Sequence, residues 1–317
     1  LDMVQLHGDE TPDYCKQKQQ IARRGAKKGS QMNHKIMIKF TFIVLCAAGI
    51  SRAGGCTEAS NNQQPQNPKD DPVNIVLEKL NKKTSDLQSY QSQIEYKYSQ
   101  PLLESEALRK GVFYYTRSGG KSALNINFNT LKQDDEKEQK SLEQYIVLDG
   151  GGLAYPDYEF KGIWLAHLDY QIKEVKYYQL AEPNDANEST DVFDLAGKKL
   201  PMLGFSKIED LKKQFEIQLV EQKEADSENL IQVHLKVKPN SIYKDDYISI
   251  DFWIDEKLDL PAKIIAVKSE PEPPYGDIEE IKFLNPKVNN GIDKKVFEIK
   301  IPKGFGEPEI FPLESKK

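Results

Sequence analysis

Apolar and polar residues alternate along many short stretches of this 317-residue chain, and this alternation constrains its fold more than any other feature. The stretch NLIQVHLKVKP, residues 229–239, is one example. Its apolar positions share one face of a strand and are Ile231, Val233, Leu235 and Val237. Strands that bury one face are typical of antiparallel sheets. Comparable stretches occur at residues 93–99, 111–117, 123–129, 175–180, 215–222, 247–255, 262–268, 278–284 and 296–302.

One helix is predicted before the strands. Asp71 is a suitable N-cap and Pro72 occupies the first helical position. Apolar residues then recur at helical spacing to about Ser89. These residues are Val73, Val76, Leu77, Leu80 and Leu87.

A polar insertion at residues 181–205 divides the strands into two runs and ends in the apolar stretch LPMLGF. Ser206 and Glu209 then form a capping box for a short second helix. That helix is predicted to direct three apolar residues inward, namely Ile208, Leu211 and Phe215. In the first run, the stretch QYIVLDGGGLAY predicts a hairpin about Asp149 and Gly150, because glycine suits a turn with positive φ.

Strands at hairpin spacing, each with one apolar face, predict a single large antiparallel sheet that curls. The expected fold class is α+β, mostly β: an incomplete, curled antiparallel β-barrel, or half-barrel, with helices on its concave side. A packed core is the ordinary fate of an apolar strand face. Two or three short helices are a thin cover for so many inward side chains, which favours an apolar cavity as the alternative.

The first 71 residues predict processing and export. Residues 1–31 are polar and basic and precede Met32, so we expect them to be a non-native or misassigned extension. Residues 32–56 have the basic start, apolar run and small residues of a signal peptide. Residues 57–71 are rich in Asn, Gln and Pro and predict a disordered polar tether. The folded domain is therefore expected at residues 72–312.

Cys56 is the cysteine expected in the mature chain, since Cys15 and Cys46 lie in segments that processing would remove. The sequence AGGC resembles a bacterial lipobox, in which the cysteine is acylated. Ala53 stands where a lipobox has leucine, and cleavage after Ala53 by the ordinary signal peptidase is the alternative. The exported protein is thus either free or anchored to a membrane through a lipidated Cys56.

Composition and motifs exclude several function classes. Forty-four basic and fifty acidic residues give a net charge of −6, which argues against nucleic-acid binding. His167 and His234 lack the spacing of metal ligands. Asp251 and Asp255 flank Trp253 without a companion group in sequence that would tune them as acid and base. We therefore expect no catalytic residue, no metal, no cofactor and no enzymatic activity.

The order of the elements resembles that of the LolA/LolB-like lipoprotein carriers over about Pro72 to Gly304. The segments that carry the resemblance are VNIVLEKLNKKTSDLQSYQSQIEY, GVFYYTRSGGKSALNINF, IVLDGGGLAY, LPMLGFSKIEDLKKQFEIQLV and ISIDFWIDEKLDLPAKIIAV, followed by IEEIKFLNPKVNNGIDKKVFEIKIPKGF. The resemblance implies an incomplete antiparallel barrel with helices as a lid over an apolar cavity. Such a cavity binds the acyl chains of lipoproteins in transit through the periplasm.

The resemblance and the alternation together assign an acyl-binding cavity and a lid. The expected cavity residues are Ile94, Tyr96, Phe113, Tyr115, Leu124, Ile126, Phe128, Ile231, Val233, Leu235, Ile248, Ile250, Phe252, Ile281 and Phe283. The expected lid residues are Leu200, Met202, Leu203 and Phe205. Arg117 stands where an arginine helps to hold the lid in such carriers, although Ser118 replaces the proline that often follows it.

Three functions remain open at this point. The first is a periplasmic LolA-like carrier that helps to sort lipoproteins, or related lipids, to the outer membrane. The second is a membrane-anchored LolB-like receptor or another lipid-binding lipoprotein, and the third is a hydrolase. The partners expected for a carrier are acylated lipoproteins or lipids, an inner-membrane release complex and an outer-membrane acceptor. No nucleic acid and no transmembrane span are expected.

Overall fold

The alternating stretches form strands of one sheet in a computed structural model, which describes residues 71–133, 136–153, 155, 158–183, 192, 195, 208–221, 229–269 and 276–313. These residues all belong to one compact unit, Pro65–Lys317. The first run contains β1 (Ser89–Gln100), β2 (Ser105–Ser118), β3 (Lys121–Lys132), β4 (Glu136–Asp149), β5 (Ile163–Asp169) and β6 (Glu174–Ala181). The second run contains β7 (Phe215–Leu219), β8 (Leu230–Val237), β9 (Tyr247–Asp255), β10 (Leu260–Lys268), β11 (Ile278–Val288) and β12 (Glu309–Phe311).

The twelve strands lie in the order β12-β6-β5-β4-β3-β2-β1-β11-β10-β9-β8-β7. Strands β1 and β11 pair with each other and thereby join the two runs at the middle of the sheet. Ten of the strand pairs are antiparallel, and β12 pairs parallel to β6. The described sheet is therefore mixed and open, with β12 and β7 at its ends. The prediction of a mostly β fold with few helices is confirmed, and that of a wholly antiparallel sheet is wrong at β12.

Two helices of the structure match the predicted ones. Helix α1 (Pro72–Ser85) begins after Asp71, whose Oδ1 accepts a hydrogen bond from the Val73 amide at 3.1 Å. It ends before the predicted Ser89, because β1 begins there. Helix α2 (Ile208–Gln214) directs Leu211 into the core. No helix in the described part of the chain is long and apolar enough to cross a membrane.

The sheet buries side chains on both of its faces. The larger apolar cluster, which we call the inner core, includes Phe113, Ile126 and Ile250. We call the face of the sheet that carries it the inner face. A smaller cluster, the outer core, occupies the opposite face of β4, β5 and β6. Its buried members are Ile146, Leu148, Phe160, Trp164, Ala166, Leu168, Val175 and Tyr177.

Burial on both faces explains why β5 was not predicted. Its residues Trp164, Ala166 and Leu168 enter the outer core, while Leu165 packs against the inner core. A strand that is apolar on both sides lacks the alternation that marks a half-exposed strand. The chain reaches β5 through a loop, because Gly150–Gly152 forms a short 3-10 helix capped by Asp149. The predicted hairpin about Asp149 and Gly150 is therefore wrong.

The C-terminal segment, residues 289–313, covers the outer core instead of adding the strand predicted at residues 296–302. Lys294–Phe297 forms a short 3-10 helix, and the Asn125 side chain donates a hydrogen bond to the Val296 carbonyl. Further along this segment, three residues pack against the outer core, namely Ile299, Phe305 and Ile310. The apolar alternation at 296–302 thus reflects packing across the sheet rather than pairing within it.

A bulge in β9 displaces one predicted cavity residue. Val267 pairs with Ser249 and Lys268 pairs with Tyr247, so Ile248 has no partner in β10. Ile248 is 47% exposed, whereas Ile250, which has the same parity along the strand, is fully buried at 0%. An extra residue in a bulge interrupts the alternation of faces. The structure therefore does not bring Ile248 to the inner core.

The bulge provides a matched test of the sheet register. Ile250→Ala is expected to lower the free energy of unfolding by about 2–5 kcal/mol, because it leaves a cavity in the core. Ile248→Ala is expected to change it by less than about 0.5 kcal/mol, because surface substitutions rarely do more. Urea unfolding of both variants measures the difference. Equal destabilisation by the two substitutions would contradict this register.

Candidate functional site

The inner face brings together fourteen of the fifteen predicted cavity residues, and Ile248 is the one it does not include. Tyr96 and Ile231 are half-buried and pack against the inner core. The buried members are Ile94, Phe113, Tyr115, Leu124, Ile126, Phe128, Val233, Leu235, Ile250, Phe252, Ile281 and Phe283. These residues come from both runs of strands, so the apolar face is continuous across the β1–β11 pair.

Aromatic rings stabilise the middle of this face. Tyr90, Phe113 and Phe283 come from β1, β2 and β11, and their ring centroids lie 5.8 to 6.2 Å apart in edge-to-face contacts. Such pairs contribute about 0.5–1.5 kcal/mol beyond the area that they bury. Burial raises the pKa of Tyr90 to about 12. The middle of the inner face is thus a well-packed region of the sheet.

Short segments cover the inner face. Leu80 of α1 and Leu211 of α2 belong to the inner core, as do Val192 and Leu195 of the insertion. The Val192 amide donates a hydrogen bond to Ser122 Oγ at 2.8 Å, which holds this part of the insertion on β3. The predicted lid residues at 200–205 lie outside the described residues, and so does Cys56.

Arg117 connects the sheet with the first helix. Its Nη1 donates a hydrogen bond to the carbonyl oxygen of Ser85, the last residue of α1, at 2.6 Å. Its guanidinium also lies 5.8 Å from the centroid of the Tyr115 ring. A cation at the C-terminus of a helix interacts favourably with the helix dipole. Arg117 therefore fixes the C-terminal end of α1 to β2. Its role in holding a lid stays a prediction, because residues 200–205 lie outside the described residues.

A polar cluster interrupts the inner face near one end of β2, β4 and β5, and sequence patterns did not reveal it. We define the polar cluster as Arg109, Glu143, Tyr145 and His167. Arg109 Nε lies 3.4 Å from Glu143 Oε2, and His167 Nε2 lies 3.3 Å from Glu143 Oε1. The rings of Tyr145 and His167 stack at a centroid distance of 4.6 Å. Strand register assembles the cluster, because Tyr145 pairs with His167 across β4 and β5.

The polar cluster keeps a carboxylate ionised within an apolar face. Burial opposes ionisation of Glu143, but the hydrogen bond from His167 and the charge of Arg109 outweigh it and lower the pKa of this carboxyl. Burial and the neighbouring Glu143 carboxylate raise the pKa of Tyr145 well above its ordinary value. Burial also raises the pKa of the nearby Asp169. The stable state at neutral pH is therefore a charged Glu143 beside a neutral Tyr145.

A second carboxylate, Glu279, lies on the same face of β11 as the cavity residues. Tyr96 donates a hydrogen bond to its Oε1 at 3.3 Å, and Tyr247 donates to its Oε2 at 3.4 Å. Lys268 Nζ lies 3.3 Å from Oε1 and supplies the balancing charge. Tyr96 also contacts Phe128, with ring centroids 6.3 Å apart. The inner face thus combines a large apolar area with charge-balanced polar groups along one side.

The opposite face of β8 and β9 holds a histidine and carboxylate pair. His234 Nδ1 lies 2.9 Å from Asp251 Oδ1, and Gln232 donates to the same oxygen at 2.9 Å. Asp251 therefore has hydrogen-bond partners on β8, which residues close to it in the sequence do not reveal. The described residues contain no group of three side chains suited to hold a metal ion.

The charge state of Glu143 predicts an acid sensitivity of folding. In the folded protein the pKa of Glu143 lies below its ordinary value of 4.5. The ionised carboxylate therefore stabilises the fold above pH 4.5, and this stabilisation is lost as the pH falls through the lowered pKa of the folded state. Glu143→Gln is expected to destabilise the protein by about 3 kcal/mol at neutral pH, because it breaks a buried pair. The difference from wild type should shrink below pH 4.5 in urea unfolding series. A difference that does not vary with pH would contradict this account.

No protein-family model and no curated protein matches this chain. Three solved structures are similar to it. A DUF1329 family protein from Desulfovibrio piger is 11% identical over 72% of this chain and 98% of its own, with a TM-score of 0.38. A domain assigned as an outer membrane lipoprotein-sorting protein from Vibrio parahaemolyticus is 10% identical over 70% of this chain and 95% of its own, with a TM-score of 0.34.

The third structure is a LolA superfamily protein from Nitrosomonas europaea. It is 12% identical over 71% of this chain and 96% of its own, with a TM-score of 0.29. An outer membrane lipoprotein-sorting protein domain and a LolA superfamily protein are thus among the solved structures that this chain is similar to.

Proposed function

We propose that this protein is a periplasmic carrier that binds the acyl chains of lipoproteins, or of related lipids, against the inner face and helps to sort them to the outer membrane. The observation that carries the proposal is the continuous apolar inner face, assembled from both runs of strands. The segment resemblance to LolA-like carriers supports the same conclusion. An anchored receptor would use the same face and would differ by a lipid on Cys56.

The energetics suit reversible capture. Burial of an acyl chain contributes about 0.8 kcal/mol per CH2 group, so a chain of ordinary length binds without any catalytic group. The partly buried residues Tyr96 and Ile231 lie beside the inner core and are the positions at which a chain reaches this face with least repacking. Fully buried neighbours such as Phe113 and Ile250 then serve as the floor of the site.

The cover over the inner face has fixed parts that limit where a chain enters. Helix α1 is tied to β2 by Arg117, and Lys212 Nζ of α2 donates to Asn74 Oδ1 of α1 at 2.6 Å. The apolar stretch at 200–205 contains Pro201 and Gly204, which disfavour a regular helix or strand. We therefore assign the lid to this stretch. Soft side chains such as Met202 repack around different chains.

Acyl binding is tested directly with a fluorescent acylated peptide and the purified protein. We expect saturable binding by fluorescence anisotropy. Ile231→Asn is expected to weaken it roughly 5-fold, because about 1 kcal/mol of apolar contact is lost. Lys236→Asn, on the exposed side of the same strand, is the matched control and should leave the affinity unchanged. Failure of the wild-type protein to bind the peptide would refute the carrier function.

The lid assignment is tested with a spin label at Met202. Met202→Cys, combined with Cys56→Ser, provides a single labelling site in the mature chain. Addition of a saturating acylated peptide is expected to change the mobility of the label, because the lid must leave the inner face. A label at Lys303, an exposed residue of the C-terminal segment, is the control. An immobile signal at Met202 that the peptide does not change would mean that this stretch is a fixed part of the core.

A further inference from the structure

One nitrogen of the Arg109 guanidinium, Nη1, has no hydrogen-bond partner among the described residues. Arg109 Nε lies beside Glu143, but no described residue accepts a hydrogen bond from Nη1, and this atom is buried. A desolvated donor without an acceptor destabilises the folded protein. Native proteins contain few such groups, and each one calls for an explanation. An acceptor that arrives with a ligand would satisfy this donor.

The position of Arg109 on the inner face indicates which ligand would bring that acceptor. Arg109 has the same parity along β2 as Phe113, and it pairs with Tyr96 across β1. The ring of Phe128 lies 6.3 Å from Tyr96 and 6.4 Å from Tyr145, so the Phe128 ring adjoins the polar cluster. Gly111, two residues after Arg109, pairs with Phe128, and the β3 backbone lies so close to it that a Cβ there would be 2.1 Å from the Asn127 carbonyl oxygen.

The charges around Arg109 favour a neutral acceptor. Glu143 already balances the guanidinium, and Lys268 balances Glu279. An anionic ligand oxygen close to Nη1 would also lie close to the Glu143 carboxylate, and like charges at short range repel strongly in a buried site. A carbonyl oxygen accepts the hydrogen bond without adding a charge. Such a carbonyl oxygen is present wherever an acyl chain is joined to a peptide or a lipid by an ester or an amide bond.

We propose that Arg109 Nη1 donates a hydrogen bond to the ester or amide carbonyl of a bound acyl chain. The carbonyl then lies at the polar cluster, and the methylene groups extend from it along the inner face past Tyr96 and Phe128. This inference rests on the proposed acyl-binding function and adds a chemical preference to it. The site distinguishes acyl chains from alkyl chains of equal length, which apolar contacts alone do not.

The experiment compares three fluorescent peptides that carry chains of equal length: an amide-linked acyl chain, an ether-linked alkyl chain, and a chain that ends in a free carboxylate. We expect the wild-type protein to bind the acyl peptide roughly 10-fold more tightly than the ether-linked peptide. Arg109→Lys keeps a cation beside Glu143 and removes the forked donor, so it should reduce this ratio to about 1. Lys110→Gln removes a cation from the opposite face of the same strand, where Lys110 pairs with Glu95, and it should preserve the ratio.

The outcomes separate this inference from the function on which it rests. Equal binding of the acyl and ether peptides, or a ratio that Arg109→Lys leaves unchanged, would overturn the carbonyl site while leaving the carrier function intact. Tighter binding of the carboxylate peptide than of the acyl peptide would show that charge attraction dominates and would also overturn it. Absence of binding by all three peptides would refute both. Circular dichroism of Arg109→Lys establishes that the variant is folded before the ratios are compared.

Discussion

The pairing of β1 with β11 is the interaction on which the rest of the structure depends. It joins the strands of the first run to those of the second, and it places Ile94 opposite Phe283 and Tyr96 opposite Ile281. Without it, the two runs would present two separate apolar faces. Asn289, in a left-handed conformation with a φ of 56°, fixes one end of the pair. Its Oδ1 accepts hydrogen bonds from the amides of Gln88 and Ser89 at 2.9 and 3.1 Å.

Much of the fold could be predicted from periodicity because half-exposed strands reveal themselves by alternation. The N-cap at Asp71 and the inward side chains of β1, β2, β3, β8 and β9 follow from local rules of this kind. Strand β5 could not be predicted from alternation, since both of its faces are buried. The parallel pairing of β12 was also missed, because a strand of three residues carries too little pattern to reveal its partner.

The polar cluster shows why a site is harder to predict than a fold. Arg109, Glu143 and His167 belong to three different strands, and only the strand register brings them together. A signal existed within each strand, since Arg109 shares the parity of Phe113 and Glu143 shares that of Tyr145. A charged residue at an inward position is an exception to the alternation, and such exceptions mark functional or strained places. The bulge at Ile248 is the converse case, in which correct parity leads to an exposed side chain.

The C-terminal segment makes the two halves of the sheet mechanically unequal. It crosses the outer core, hydrogen-bonds to β3 through Asn125 and pairs with β6, so it acts as a brace on one side of the molecule. The opposite edge, β7, is a strand of five residues whose described pairing is with β8 alone. Bending of the sheet is therefore expected to concentrate toward β7, β8 and β9, while the braced half keeps its curvature. If a ligand binds the inner face, the sheet is expected to deform mainly at β7, β8 and β9, and the geometry of the polar cluster in the braced half is expected to stay unchanged.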